Sequence, residues 1–145
     1  MTFWRLALGS YPVLDGEGAR RYGGRWNDPG TPLVYLSEHP ALCLVETLVH
    51  LDKHQIPSEY VLYRMEGPTP PLLPEEVLPE DWRSDVEHSR SAVRAWAGEA
   101  RNLLLSVPSA VVPHARNILL NPLHPDASTV EVTQKTPFQF DKRLF

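Results

Sequence analysis

The sequence is poor in several features, and each shortage narrows its chemistry. Cys43 is the single cysteine in 145 residues, which excludes an intrachain disulfide and fits a reducing compartment. Lysine is scarce: only Lys53, Lys135 and Lys142 occur, so the 14 basic residues are nearly all arginine. Arginine is the side chain suited to bidentate contact with phosphate or carboxylate. No apolar run approaches the ~20 residues of a transmembrane helix, and the opening Met1-Thr2-Phe3-Trp4-Arg5 lacks the apolar core of a signal peptide. The expected location is therefore the cytoplasm, with no membrane partner. A basic excess is also missing, and a net charge of −4 with a pI near 5.8 argues against direct nucleic-acid binding. No G-x-x-x-x-G-K-[ST] loop is present. Gly16-Glu17-Gly18 opens like a dinucleotide fingerprint, but Arg21 stands where its last glycine belongs and no βαβ unit surrounds it.

What remains is an ordinary globular composition, 42% hydrophobic and 22% charged, long enough for one domain over residues 1–145 with its own core. Strands are expected at Trp4–Leu8, Leu33–Ser37, Tyr60–Met65, Leu103–Val107, Ala110–Val112 and Asn117–Asn121, with more in the tail from Ser128 to Phe140 around Pro137. Residues 15–30 read as a long loop, and Gly67 to Pro79 as an extended proline-rich connector. Ser37-Glu38-His39-Pro40 is a helix entry. The helix from Pro40 to about Leu51 has apolar residues around nearly its whole circumference, which predicts burial. A second helix is expected from Trp82 to Trp96, stopped by Gly98. About six or seven short strands and two main helices without regular alternation give an α+β fold rather than a doubly wound parallel one.

Two candidate sites carry little. Cys43 in an apolar helix reads as core filler. Glu46, His50 and His54 resemble a metal stripe at helical spacing, but Asp52-Lys53 should end the helix before His54 and no further ligands complete a set; no metal is expected. More is carried by Gly23-Gly24-Arg25-Trp26-Asn27, Tyr35, Glu46 and Ser109. Arg25 is either a routine ion-pair arginine or, after a Gly-Gly pair that lets backbone approach a ligand, a grip on phosphate or ribose oxygens. Trp26 and Asn27 either line a cleft or hold the loop. Tyr35 is a strand aromatic that packs in the core or stacks on a planar ring. Glu46 needs a partner inside an apolar helix: Arg25 in a buried ion pair, or a cleft where it stabilises developing positive charge, for instance at a ribosyl centre. Ser109, between Pro108 and Ala110, is a bulge residue or lines the cleft.

These segments together resemble the RES domain family, which takes its name from a characteristic Arg, Glu and Ser. The matching stretches are Gly23-Gly24-Arg25-Trp26-Asn27, Tyr35-Leu36-Ser37, Glu46-Thr47-Leu48-Val49-His50, Val107 to Pro113, Asn117 to Pro125 and the closing Phe140-Asp141-Lys142-Arg143-Leu144-Phe145. They cover essentially the whole chain in order. One departure is Asn117-Ile118, where many members carry Asn-Tyr. The resemblance implies an ADP-ribosyltransferase-like mixed β core with flanking helices, and the toxin half of a bacterial toxin–antitoxin pair. It implies NAD as substrate, cleaved at the nicotinamide–ribose bond by hydrolysis or phosphorolysis, and an Xre-like helix-turn-helix antitoxin as partner. Some relatives transfer ADP-ribose to a protein instead. By motif, Arg25, Tyr35 and Glu46 take catalytic roles, and Arg25, Trp26, Asn27, Tyr35 and Ser109 substrate contacts. A non-catalytic module that binds a DNA-binding partner is the rival from another class.

Overall fold

The computed structural model describes residues 1–99 and 102–145. Its centre is a sheet of six strands: β1 (Thr2–Leu8), β2 (Val34–Ser37), β3 (Tyr60–Glu66), β4 (Leu104–Pro108), β5 (Arg116–Leu120) and β6 (Glu131–Phe138). Their spatial order is β4-β5-β2-β1-β3-β6. Every paired neighbour is antiparallel, and a parallel bridge joins Leu72 to Ser106. Three helices accompany the sheet: α1 (Glu17–Tyr22), α2 (Pro40–Leu48) and α3 (Val86–Glu99). The fold is α+β, as the irregular order of elements predicts.

Strand alternation divides the core in two. Leu105, Val107 and Leu119 point to one face, where Val93, Trp96 and Ala97 of α3 meet Trp26 and Trp82. Leu104, Ile118, Leu120, Val34 and Leu36 point to the other, packing with Phe3, Tyr63 and Met65. The first face carries the candidate site. Tyr35 and Ser37 alternate onto it from β2, and the register pairs them with Leu119 and Asn117 of β5.

Several expected elements differ. Residues 15–30 are not all loop, because Glu17 and the two arginines at Arg20 and Arg21 close α1 with ion pairs at i+3 and i+4. Gly23 ends that helix at φ 71° with its N–H on the Ala19 carbonyl, a positive φ that favours glycine. Ala110–Val112 forms no strand; those residues turn after β4 toward His114, which has φ 67°. The tail forms the single strand β6, with Pro137 inside it at the sheet's edge. The second helix starts at Val86 rather than Trp82 and passes Gly98. The proline-rich segment is tied down: the Leu73 N–H donates to the Ser106 carbonyl and the Ser106 N–H to the Pro71 carbonyl.

The largest correction concerns α2. His39 caps it, its ring nitrogen accepting from the Ala41 N–H at 3.1 Å, and Pro40 begins it. Only Leu42 and Cys43 are buried; the other side chains are half-covered or, like Ala41, exposed, and Val49 just past the helix end is 54% exposed. Apolar composition around a helix does not bury it when nothing lies over its outer side.

Candidate active site

Two constructions share the face beneath α3 and α2. The first is the loop after α1. Its centre is the Tyr35 hydroxyl, which donates to Asn27 Oδ1 at 2.7 Å and accepts from the Trp26 N–H at 2.9 Å. Asn27 Nδ2 then donates to the carbonyls of Ala19, Asp28 and Thr31, so one buried amide closes the loop. Gly24 makes room for it. A Cβ there would lie 2.5 Å from the Tyr35 hydroxyl oxygen and 2.9 Å from Asn27 Oδ1, closer than real contacts allow. Burial pushes the Tyr35 phenol up to about 12, against the pull of the Trp26 hydrogen bond and the Arg90 and Arg25 charges. It remains a neutral donor at any physiological pH.

Trp26 is 2% exposed and packs on Trp82 at 5.4 Å between ring centroids, so its indole belongs to the core. Asn27, also 2% exposed, is consumed by the loop. Arg25, beside them in sequence, is half-buried. Its Nη1 donates to the Trp82 carbonyl at 3.0 Å, and its own carbonyl accepts from the Ser89 hydroxyl of α3. Arg90 donates to the Gly24 carbonyl at 2.9 Å. The backbone of the Gly-Gly-Arg turn is thus held by α3, and the rest of the Arg25 guanidinium makes no hydrogen bond among the described residues. Arg25 and Glu46 form no ion pair.

The second construction surrounds Glu46 at the end of the sheet. Ser109 Oγ donates to Glu46 Oε1 at 2.6 Å, and Asn117 Nδ2 donates to the same oxygen at 2.8 Å. Oε2 makes no hydrogen bond among the described residues. Ser109 is 1% exposed, and its hydroxyl oxygen also accepts from the N–H groups of Val111 and Val112 at 3.1 and 3.0 Å. That hydroxyl is therefore saturated, and it fixes both the turn after β4 and the carboxylate. Behind it, Ser37 Oγ donates to Asn117 Oδ1 at 2.8 Å.

The structure brings Ser109 and Glu46 into contact and sets Tyr35 two residues from Ser37 on the same strand face. Trp26 and Asn27 serve the loop. Sequence reasoning missed Asn117 and Ser37 as site residues. The signal was present as two polar side chains flanking the runs Val34–Leu36 and Ile118–Leu120, but their meeting depends on register. Cys43 adjoins this set through Ser37; burial pushes its thiol up to about 12, opposed by the Ser37 hydrogen bond and the Arg5 charge. The helical stripe of Glu46, His50 and His54 does not form, because α2 ends at Leu48 and both histidines are exposed beyond it. Asp81, Asp85 and His88 do converge on the surface before and within α3, with His88 Nδ1 2.7 Å from Asp81 Oδ1; none of the six candidate residues belongs to that group.

A cleft of about 380 Å³ adjoins Ser109, lined also by Glu75, Arg83, His114 and Arg116. Its arginines are engaged: Arg83 pairs with Glu75 at 2.6 Å, and Arg116 donates to Ser106 and to the Leu73 carbonyl. Glu46 Oε2, by contrast, takes no donor among the described residues and is open to a ligand.

The RES domain family model matches residues 2–141. A Prs ADP-ribosylating toxin of Sphingobium sp. (strain YBL2) is 36% identical over 154 residues, covering 99% of this chain and 96% of that protein. Toxin Res of Pseudomonas putida is 36% identical over 150 residues, covering all of both. MbcT of Mycobacterium tuberculosis, named an NAD(+) phosphorylase, is 46% identical over 46 residues, 31% of this chain and 25% of that protein. A chain of the crystal structure of the M. tuberculosis MbcT-MbcA toxin-antitoxin complex superposes with a TM-score of 0.78 at 20% identity, covering 95% of this chain and 84% of that one. With a family match over nearly its whole length and relatives aligned end to end, the chain belongs to the RES domain family.

Proposed function

We propose that this chain is the toxin of a toxin–antitoxin pair and cleaves the nicotinamide–ribose bond of NAD. The observation that carries this reading is Glu46, whose Oε1 takes both protein donors while Oε2 is left for a ligand. In the reaction, the C–N bond breaks with its electron pair going to the nicotinamide ring, which leaves neutral. Positive charge grows on the anomeric carbon and ring oxygen of the ribose. A carboxylate held in place and half unsatisfied stabilises that charge and accepts from the ribose hydroxyls. The departing group needs no proton, so the step as written calls on no metal and no general acid.

The remaining roles follow from what each side chain has left to offer. Arg25, anchored through Nη1, turns its other N–H groups to the diphosphate. Tyr35 has spent its hydroxyl on the loop and contributes its ring as a wall for nicotinamide or ribose. Ser109 acts on the substrate through Glu46. Trp26 and Asn27 shape the loop that presents Arg25. Water attacking the anomeric carbon and losing a proton gives ADP-ribose; phosphate gives ADP-ribose 1″-phosphate.

NAD as substrate is supported by the name of MbcT, and the cytoplasm is the location that fits that reading. An antitoxin partner is supported by the toxin–antitoxin complex that shares the fold, and an Xre-like helix-turn-helix protein is the type that fits the family. A second reading, transfer of ADP-ribose to a protein, is favoured by the Sphingobium relative, an ADP-ribosylating toxin aligned over its whole length. Both readings share the bond that breaks and differ in the acceptor.

Purified protein incubated with NAD, with and without phosphate, should release free nicotinamide. ADP-ribose as product identifies water as acceptor, and ADP-ribose 1″-phosphate identifies phosphate. Label from NAD that becomes protein-bound in a lysate selects the second reading. No nicotinamide release in the presence of any of these acceptors contradicts both.

A further inference from the structure

We propose that Asn117, oriented by Ser37, is a positioning residue that sets the Glu46 carboxylate for the reaction. The inference rests on the reading of Glu46 as the group that faces the substrate.

The argument is one of donors and acceptors. An ionised carboxylate only accepts, so the Asn117 amide must present Nδ2 to Glu46, as it does at 2.8 Å. That leaves Oδ1 facing the interior, where Asn117 is 8% exposed and an unmet acceptor is costly. Ser37 Oγ meets it from 2.8 Å. Ser37 and Asn117 are cross-strand partners of β2 and β5, so the relay is built into the sheet register rather than into α2.

Ser109 alone would leave the carboxylate free to swing about a single hydrogen bond. A second donor from another strand, directed at the same oxygen, fixes the carboxylate plane and turns Oε2 away from both. Neither Ser37 nor Asn117 needs to touch NAD for this. The groups facing Glu46 from the sheet, Ser109 and Asn117, do not titrate. On its own helix the Cys43 thiol, pushed up to about 12 by burial, stays neutral across the working range.

The test compares Asn117→Asp, Ser37→Ala and Ser37→Thr in the full-length protein. Asn117→Asp keeps shape but replaces the donor with a second carboxylate that cannot ionise freely beside the first. Its acid limb in kcat against pH should move up by about one unit or more, and kcat near neutral pH should fall about tenfold or more, with KM for NAD nearly unchanged. Ser37→Ala should lower kcat by a smaller factor, and Ser37→Thr, which retains the hydroxyl, should restore it. Carboxyl titration of Glu46 by NMR reads the same contact without turnover and should move up in Asn117→Asp. An unchanged kcat together with an unmoved Glu46 titration overturns the proposal, as does a change confined to KM. If the wild type releases no nicotinamide, the catalytic reading of Glu46 fails, and the titration alone then decides whether Asn117 sets its carboxylate.

Discussion

The loop around Arg25 and the cluster around Glu46 are both polar constructions under the same helices, yet they are satisfied to different degrees. In the loop, the Tyr35 hydroxyl donates and accepts, Asn27 donates to three carbonyls, and Trp26 is core. In the cluster, two donors reach one oxygen of Glu46 and its other oxygen is left open. Glu46 is half-buried, so that open oxygen is accessible to a ligand. The loop is a frame whose polar residues satisfy one another and stabilise a shape, and the cluster keeps one carboxylate oxygen open to a ligand. Polar side chains close together in sequence can be spent on their own loop, as Asn27 is, while a carboxylate met by residues far apart in the chain keeps an oxygen open.

Mutations can break this contrast, and the largest expected effect is on the frame. Asn27→Ala strips donors from three carbonyls and an acceptor from Tyr35, and should cost about 3 kcal/mol or more of stability in chemical denaturation. Should that variant keep its stability and lose NAD binding instead, Asn27 touches substrate and the frame account is wrong. Gly24→Ala drives a methyl into the Tyr35 hydroxyl and should cost about 1–3 kcal/mol; a melting temperature equal to wild type would mean that the turn is looser than described.

Tyr35→Phe should cost about 1–2 kcal/mol by orphaning the Trp26 N–H and the Asn27 carbonyl oxygen. It also has a pH signature. The folded phenol is raised from 10 to about 12, so its contribution is fully present below pH 10 and lost as pH rises toward 12. Stability curves of wild type and Tyr35→Phe should therefore converge over that window, and parallel curves would contradict the buried neutral phenol. The smallest effect is at the rim. Arg94 holds the Asp28 carboxyl below its usual range through a hydrogen bond at 2.8 Å, an interaction present above pH about 4 and lost on acidification. Arg94→Ala should shift stability only slightly, and less in high salt; a large loss would extend the frame to α3's outer side.

That Glu46 needs a partner was legible in the sequence, because a carboxylate among apolar helix residues must be met; Ser109 alone read as either a bulge or a cleft residue, and its link to Glu46 came only through the family resemblance. The α+β class was legible from the order of strand and helix patterns. What stayed hidden depended on distance along the chain. Asn117 and Ser37 meet through a register that no local pattern encodes. Helix α1 was masked by glycines that suggest loop, although Glu17, Arg20 and Arg21 stand at helical spacing. The exposure of α2 was misread because a helix's apolar residues do not report what covers them. Trp26 and Asn27 lay beside Arg25 in sequence, but one faces the core and the other its own loop.

The central claim is that Glu46 stabilises charge at the bond that breaks, while the loop only presents the substrate. The direct measurement is nicotinamide release from NAD by wild type and by Glu46→Gln, at equal folded concentration. Loss of one preorganised charged group in an active site should slow release by about 10²–10³-fold or more, with the melting temperature nearly unchanged. Equal rates in the two proteins would contradict the account.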